Sequence, residues 1–485
     1  MEGNAMKTKN AWISGVLLLT LLLAGCGGKP TNPSNEAENT TNRVETTTEV
    51  VTTAEEKPTV DIETVVAVQK QFVGVTDKDA IAYQVGETME FTIRLIANGK
   101  LASCPQFKYI LKADDGRTPE EAYVDGSGGK FTLKTKLDVP GFVSLQVIAC
   151  NKNGDPIEGV DQFNGGAAAN VTDIRKKKAE PDDFDAFWDS QLKKLDETEP
   201  ELLEAKEVAS TNPLCTVYAV KIRFCKENTW GSYVSGFLSV PKGAKAGSLP
   251  LSVNFQGYGI RDAGKGGSTS MAVLSVAAHS MEVGRSEDYY NGLQNGLLQQ
   301  YGFKSEQNAS RETVYFREMI LRDVQAVRFM KRYFGPDGPD SRFKGLWTDE
   351  KTLSLTGGSQ GGFQSAAVAA LESGITTVTL SYPWLCDIGG GGTDGRLPST
   401  FMPEYTEALE YYDSVNFAKR ITCKNVIIAT EGLGDYIAPP SGVAAFYNSL
   451  GKNVSKVIVF KQNTTHGGSS GNPASYKLES EAEKN

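Results

Sequence analysis

Between Pro250 and Lys461 short apolar runs alternate with stretches of helical character, and this alternation narrows the possible folds more than any other feature of the 485 residues. The runs are "LPLSVNFQ", "AVLSVAAH", "KTLSLTG", "TTVTLSY", "NVIIAT" and "KVIVFK", and the helical stretches include 311–334 and 363–373. Each run is short and rich in β-branched residues, which suits strands. Strands separated by helices do not pair as hairpins, so the expectation is a mostly parallel sheet covered on both faces, an α/β architecture. The helical rhythm begins upstream of these runs, at "EPDDFDAFWDSQLKKLDE" over 180–197. Pro181 suits a first helical turn, Asp182 and Asp183 suit the positive end of a helix, and Phe184, Phe187, Trp188, Leu192 and Leu195 recur as a core-facing stripe.

A period of two precedes it. "TMEFTIRLIA", "FKYILKA", "KFTLKTKL" and "GFVSLQVIAC" alternate apolar and polar residues between Thr64 and Ile174, with Gly, Asp and Pro between them. Short strands at this spacing predict a small antiparallel β-sandwich over 61–175, ahead of an α/β domain over 176–485. The stretch has no tryptophan, so it is immunoglobulin-like in architecture only. Cys104 and Cys150 lie within it and are a candidate pair. Cys215 and Cys225 bracket "TVYAVKIRF"; on one continuous strand they stand about 33 Å apart, beyond the roughly 7 Å that a disulfide spans.

The first 26 residues read as a lipoprotein signal peptide: Lys7 and Lys9, then the apolar stretch Ala11 to Leu23, then "LAGC" ending at Cys26. That stretch is too short to cross a bilayer. Cys26 is the expected lipidation site, which predicts an exported protein anchored to a bacterial membrane and facing outward. Residues 27–60 are Thr- and Glu-rich and read as a disordered tether, since they bury too little apolar surface to offset chain entropy. A net charge of −9 and the lack of a basic stripe argue against nucleic acid as a partner.

"TLSLTGGSQGGFQSAAVAALESG" places Ser359 between a strand and a strong helix former. With 50 glycines in the chain, Gly-x-Ser-x-Gly is weak by itself, and "GGSSG" at 467–471 also matches. Ser469, however, has no helix after it and no acid and histidine to follow. Ser359 has the strand–turn–helix setting of an exposed nucleophile, with a helix N-terminus aimed at developing negative charge. A serine needs a base, and the chain has two histidines. His466, on "NTTHGG" after the last strand, is the expected base; His279, upstream of the serine, reads as structural. "NVIIATEGLGDYIAPPS" offers Glu431 and Asp435 as the orienting acid, and Asp435, on the loop, is favoured over Glu431 at the strand end. One oxyanion N–H is expected from Gln360, directly after the nucleophile, and another from the glycine-rich turn in "LSVNFQGYG", which also reads as a plain β-turn.

"QGYG" at 256–259, "GGSQGG" at 357–362, "GLGDYIAPPS" at 432–441 and "THG" at 465–467 together resemble the acetyl xylan esterase and cephalosporin C deacetylase family of α/β-hydrolases. The resemblance covers roughly 180–467. It implies Ser359 as nucleophile, His466 as base, Asp435 as its orienter, and the backbone N–H groups of Tyr258 and Gln360 as the oxyanion hole. It further implies a deacetylase of acetylated sugars that works without metal or cofactor and prefers acetyl over longer acyl groups. Trp384, in "SYPWLCD", is read either as a wall of the acyl pocket or as core packing. The chain departs from the family in having "AHSMEVGRSEDYY" where an Arg-Gly-Gln motif is usual, and Gly467 where Glu usually follows the histidine. Both departures bear on the family's ring-like oligomer and on the exact substrate, and leave the triad intact.

The function expected is removal of acetyl groups from xylan or xylo-oligosaccharides through an acetyl-enzyme. A serine peptidase of the prolyl-oligopeptidase type shares the chain order, but a β region of about 110 residues is too small for its propeller. A non-catalytic surface glycan-binding lipoprotein is opposed by the intact Ser, Asp and His.

Overall fold

The computed structural model of the chain describes residues 57–66, 69–226, 231–391 and 394–483. Cys26, the signal segment and most of the tether lie outside the described residues.

The N-terminal part contains nine strands: β1 (Val60–Asp61), β2 (Lys70–Thr76), β3 (Met89–Ala97), β4 (Lys100–Ser103), β5 (Gln106–Ala113), β6 (Glu120–Asp125), β7 (Lys130–Thr135), β8 (Gly141–Cys150) and β9 (Phe163–Ala169). One sheet runs β1-β4-β3-β2 with β7 also on β3, and a second runs β6-β5-β8-β9. Along β3 the residues Met89, Phe91, Ile93, Leu95 and Ala97 are buried and those between are half-buried, as the pleat requires. Aromatic rings join the two sheets: Phe72 on β2 and Phe131 on β7 lie 5.5 and 5.6 Å from Phe107 on β5. β9 was not legible as a strand, because "FNGGAAA" has no β-forming pattern, yet it pairs with β8 and is buried along its whole length. Cys104 and Cys150, the candidate pair, are both buried free thiols.

The rest of the chain contributes α1 (Phe184–Leu195), β10 (Leu202–Val208), β11 (Cys215–Arg223), β12 (Tyr233–Pro241), β13 (Leu251–Phe255), β14 (Ala272–Val276), α2 (Glu287–Gln294), α3 (Phe316–Phe334), β15 (Leu353–Gly358), α4 (Gln360–Leu371), β16 (Thr377–Ser381), α5 (Ser414–Ala418), β17 (Asn425–Gly432), α6 (Pro440–Ser449), β18 (Ser455–Lys461), β19 (Thr464–Thr465), β20 (Gly468–Ser469) and β21 (Ser475–Ser480). Ten of these strands form one sheet in the order β10-β11-β12-β14-β13-β15-β16-β17-β18-β21. Every apolar run quoted above became a strand, and β14 through β18 in that order are mutually parallel. The outer strands β10, β11, β12 and β21 are antiparallel, because short links join β10 to β11 and β11 to β12 without a crossover helix. The sheet is therefore mixed. The helix expected over 311–334 begins at Phe316. Before it, the Thr313 hydroxyl accepts from the Ser310 N–H and donates to the Ser310 carbonyl, which offers the chain an alternative to helix.

From Glu55 onward the chain forms one compact unit, so the N-terminal sheets pack directly on the larger one. Phe142 of β8 lies 5.5 Å from Phe460 of β18. Asp114, at the end of β5, is fully buried and accepts from the N–H groups of Phe142 and Leu397, both at 2.8 Å. Burial pushes its carboxyl above the usual range, while the Arg396 charge and those donors pull it back.

Candidate active site

Ser359 occupies the turn between β15, at the middle of the sheet, and α4. Its backbone lies at φ 56°, ψ −122°, a left-handed conformation costing about 1–3 kcal/mol for a residue with a side chain. The local sequence explains how so sharp a turn fits. A Cβ on Gly357 would lie 2.2 Å from the Gly361 carbonyl oxygen, and one on Gly361 would lie 2.3 Å from that of Phe255. Four backbone hydrogen bonds hold the strain. The Ser359 N–H donates to Ser381 at 2.9 Å, and its carbonyl accepts from Gly362, Phe363 and Trp384 at 2.9, 3.1 and 3.1 Å.

His466 Nε2 is 2.8 Å from Ser359 Oγ, and His466 Nδ1 is 2.8 Å from Asp435 Oδ2. The other Asp435 oxygen accepts from the N–H groups of Ile437 and Ala438 at 2.8 and 2.9 Å. With Oδ1 taken by two backbone N–H donors, Oδ2 is the acceptor that Asp435 presents to the imidazole, so Nδ1 carries the hydrogen and Nε2 is left to accept from the serine. The Asp435 side chain is fully buried, whereas His466 keeps 15% of its surface open, so the imidazole is reachable from solvent. Of the two acids read from the sequence, Asp435 faces the histidine. Glu431 points into the interior, with neither oxygen partnered among the described residues. Burial, and then the nearby Asp435 charge, hold its carboxyl well above the ordinary range, which favours the neutral form.

Tyr258 follows the end of β13, which pairs with β15 so that Phe255 stands opposite Gly357. Gln360 is the first residue of α4. Among the described residues neither backbone N–H has an acceptor, which leaves both free for an incoming oxygen. Tyr301 joins the two sides. Its hydroxyl accepts from the Gly259 N–H at 2.9 Å and donates to Gln360 Oε1 at 3.0 Å, and its ring stacks on Tyr258 at 4.4 Å. The sequence carried no signal for this residue, since "QQYGFK" shows neither period nor motif.

His279 is fully buried beside this network. Its Nδ1 lies 2.7 Å from the Tyr315 hydroxyl and its ring meets Tyr301 edge-on at 4.3 Å. Burial, aided by the Arg322 charge, depresses its pKa to about 3, so it is a neutral packing group. Ser469 lies across the β19–β20 hairpin, 2.9 Å from the Thr464 hydroxyl. Trp384 is buried next to Ser359: its N–H is on the Ser359 carbonyl, its indole N–H donates to the Phe401 carbonyl at 2.8 Å, and its ring lies 6.1 Å from that of Tyr258. The core reading of Trp384 holds, and its part in an acyl pocket is a proposal. Among the described residues no group of three or more His, Cys, Asp or Glu is placed to hold a metal ion.

A largely parallel sheet flanked by helices, with a Ser–His–Asp chain beyond the carboxyl ends of its strands, is the arrangement of an α/β-hydrolase. The chain belongs to the acetyl xylan esterase family, whose profile matches residues 168–389 and 403–479, and it is a carboxylic ester hydrolase. It is 26% identical over 346 residues to acetyl esterase Axe7A of Xylanibacter ruminicola, covering 67% of this chain and 72% of that one. Among solved structures, an acetyl xylan esterase from Paenibacillus sp. R4 is 21% identical with a TM-score of 0.46, covering 61% of this chain and 93% of that one. Acetyl xylan esterase 1 from Thermoanaerobacterium sp. JW/SL YS485 is likewise 21% identical, with a TM-score of 0.43 over 61% of this chain and 92% of that one.

Proposed function

We propose that the chain is an exported, lipid-anchored serine esterase that removes acetyl groups from acetylated xylan or its oligosaccharides. The observation that carries the reading is the continuous Ser359–His466–Asp435 chain, with both contacts at 2.8 Å, at the N-terminus of α4. Ser359 Oγ attacks the acetyl carbonyl carbon while His466 Nε2 takes its proton. Asp435 holds the imidazole in the required tautomer and stabilises the imidazolium. The oxyanion of the tetrahedral intermediate is received by the N–H groups of Tyr258 and Gln360. Its collapse expels the sugar hydroxyl, which leaves with the proton from His466. Water, deprotonated by His466, then attacks the acetyl-enzyme, and acetate departs as Ser359 recovers its proton.

The two N-terminal sheets are read as a β-sandwich module carried with the esterase. The "LAGC" motif supports anchorage through Cys26, and Cys26→Ser is expected to release the protein from membranes or block its processing. The function is tested by measuring acetate release from acetylated xylan beside hydrolysis of aryl acetate, aryl butyrate and an aminoacyl amide. Acetate release that Ser359→Ala abolishes supports the reading. Cleavage of the amide without acetate release would identify a peptidase, and no turnover by folded protein would identify a glycan-binding lipoprotein.

A further inference from the structure

The loops bearing the proposed acid and base both rest on one strand of the N-terminal sheets. The Gln462 side-chain amide lies along the edge of β9 that faces away from β8: its Oε1 accepts from the Gly166 N–H and its Nε2 donates to the Gly166 carbonyl, both at 2.9 Å. This is the bond pair that a neighbouring strand would make. Asn463, in the left-handed region at φ 46°, accepts from the Asn164 N–H at 3.0 Å and donates to the Phe72 carbonyl on β2 at 3.1 Å. Both amides are buried. On the acid side, a Cβ on Gly434 would lie 2.4 Å from the Asn164 carbonyl oxygen, and one on Gly166 would lie 2.9 Å from that of Leu433. Asn164 thus touches the segments before both Asp435 and His466. The two loops are also joined to each other, because the Gly434 N–H donates to the Thr464 carbonyl at 3.0 Å.

We infer that the β9 edge is a template that sets the Asp435 loop against the His466 loop, with Gln462, Asn463 and Gly434 as positioning residues. The composition of β9 fits this role. "FNGGAAA" is poor as a strand for its own sheet, but a Cβ at Gly165 would lie 2.0 Å from Gln462 Oε1, so its glycines are what two foreign loops need for close approach. Catalytic loops are mobile unless a scaffold pins them. Here the pins are buried amides that would be costly if unpaired. The N-terminal sheets therefore complete the catalytic geometry, rather than only linking the esterase to its tether. The inference rests on the triad reading above.

The test compares full-length Gln462→Met, which keeps the side-chain length and removes the amide, and Gly434→Ala, which forces a Cβ against Asn164. Phe131→Leu, inside the N-terminal sheets but away from the contact, is the control. Displacement of reacting groups by about 1 Å costs about 10²-fold, so kcat for an aryl acetate should fall by about that factor in the first two while KM stays near its wild-type value. Phe131→Leu should lower the thermal midpoint and leave kcat unchanged in folded protein. Where Gly434→Ala does not fold, Asn463→Gly, which retains the left-handed backbone, replaces it with the same expectation. Wild-type kcat in folded Gln462→Met, or an equal loss in Phe131→Leu, would overturn the inference. Ser359→Ala, run alongside, separates the two failures: if it abolishes turnover while the loop variants do not lose kcat, the template alone is wrong, and if it retains turnover, the triad reading is wrong.

Discussion

Replacing Tyr301 with phenylalanine deletes one oxygen and should slow the chemistry without weakening substrate binding. That oxygen accepts from the Gly259 N–H at 2.9 Å, next to the Tyr258 N–H, and donates to Gln360 Oε1 at 3.0 Å. The ring remains, so the 4.4 Å stack on Tyr258 and the shape of the site persist. Gln360 is fully buried and its Nε2 is already unpartnered, so stranding Oε1 as well costs about 1–3 kcal/mol of stability. Outright loss of an oxyanion donor costs about 10²–10³ in kcat. Here both proposed donors, the N–H groups of Tyr258 and Gln360, survive on loosened supports, so the expected loss is smaller, roughly 10-fold to 10²-fold. The assay is steady-state hydrolysis of an aryl acetate by Tyr301→Phe and wild type, with thermal melts to define conditions under which both are folded. A fall in kcat with KM held supports a hydroxyl that preorganises the hole. Unchanged kcat, or a raised KM at constant kcat, would refute it.

Three further outcomes follow from the same geometry. His279 has a folded pKa of about 3 against 6.5 for the free side chain. The unfolded chain therefore binds a proton that the native state does not, and the His279 contribution to stability is lost as pH falls from 6.5 toward 3, at up to about 1.4 kcal/mol per pH unit. Denaturant titrations should show His279→Gln gaining on wild type over that window and running parallel to it above 6.5; parallel curves throughout would contradict a buried neutral imidazole. Glu431→Gln, which replaces a buried carboxyl by a neutral amide of the same shape, should leave kcat near wild type, whereas Asp435→Asn, which favours the wrong histidine tautomer, should lower it by about 10⁴; the reverse order in aryl acetate kinetics would exchange their roles. Trp384→Ala should open the acyl pocket, and the two extra CH₂ groups of a butyrate are worth about 1.6 kcal/mol when buried, so its kcat/KM should rise roughly tenfold relative to acetate. A fixed ratio would leave Trp384 as core alone.

The parallel strands and the hydrogen-bonded chain of Ser359, His466 and Asp435 were legible because their signals are local. Each apolar run has one fate in a covered sheet, and the setting of Ser359 rests on glycines whose absent side chains let β15 turn into α4. The order Ser359, Asp435, His466 supplied the partners, and the strand end buried Glu431 while the loop freed Asp435 to face the histidine. Tyr301 was not legible, since its role depends on two backbone segments far apart in sequence that meet only in the folded chain. β9 escaped for a related reason. Its glycines and alanines serve a contact with Gln462 and Gly434, and no local propensity encodes a partner about 300 residues away.

Intact-protein and peptide mass spectrometry of wild-type enzyme, acid-quenched during turnover of an aryl acetate, tests the proposed chemistry most directly. One acetyl group should appear on the peptide carrying Ser359, vanish when substrate is exhausted, and be absent from Ser359→Ala. An acetyl group on any other residue, Ser469 included, or turnover by Ser359→Ala at the wild-type rate, would contradict a mechanism that passes through Ser359.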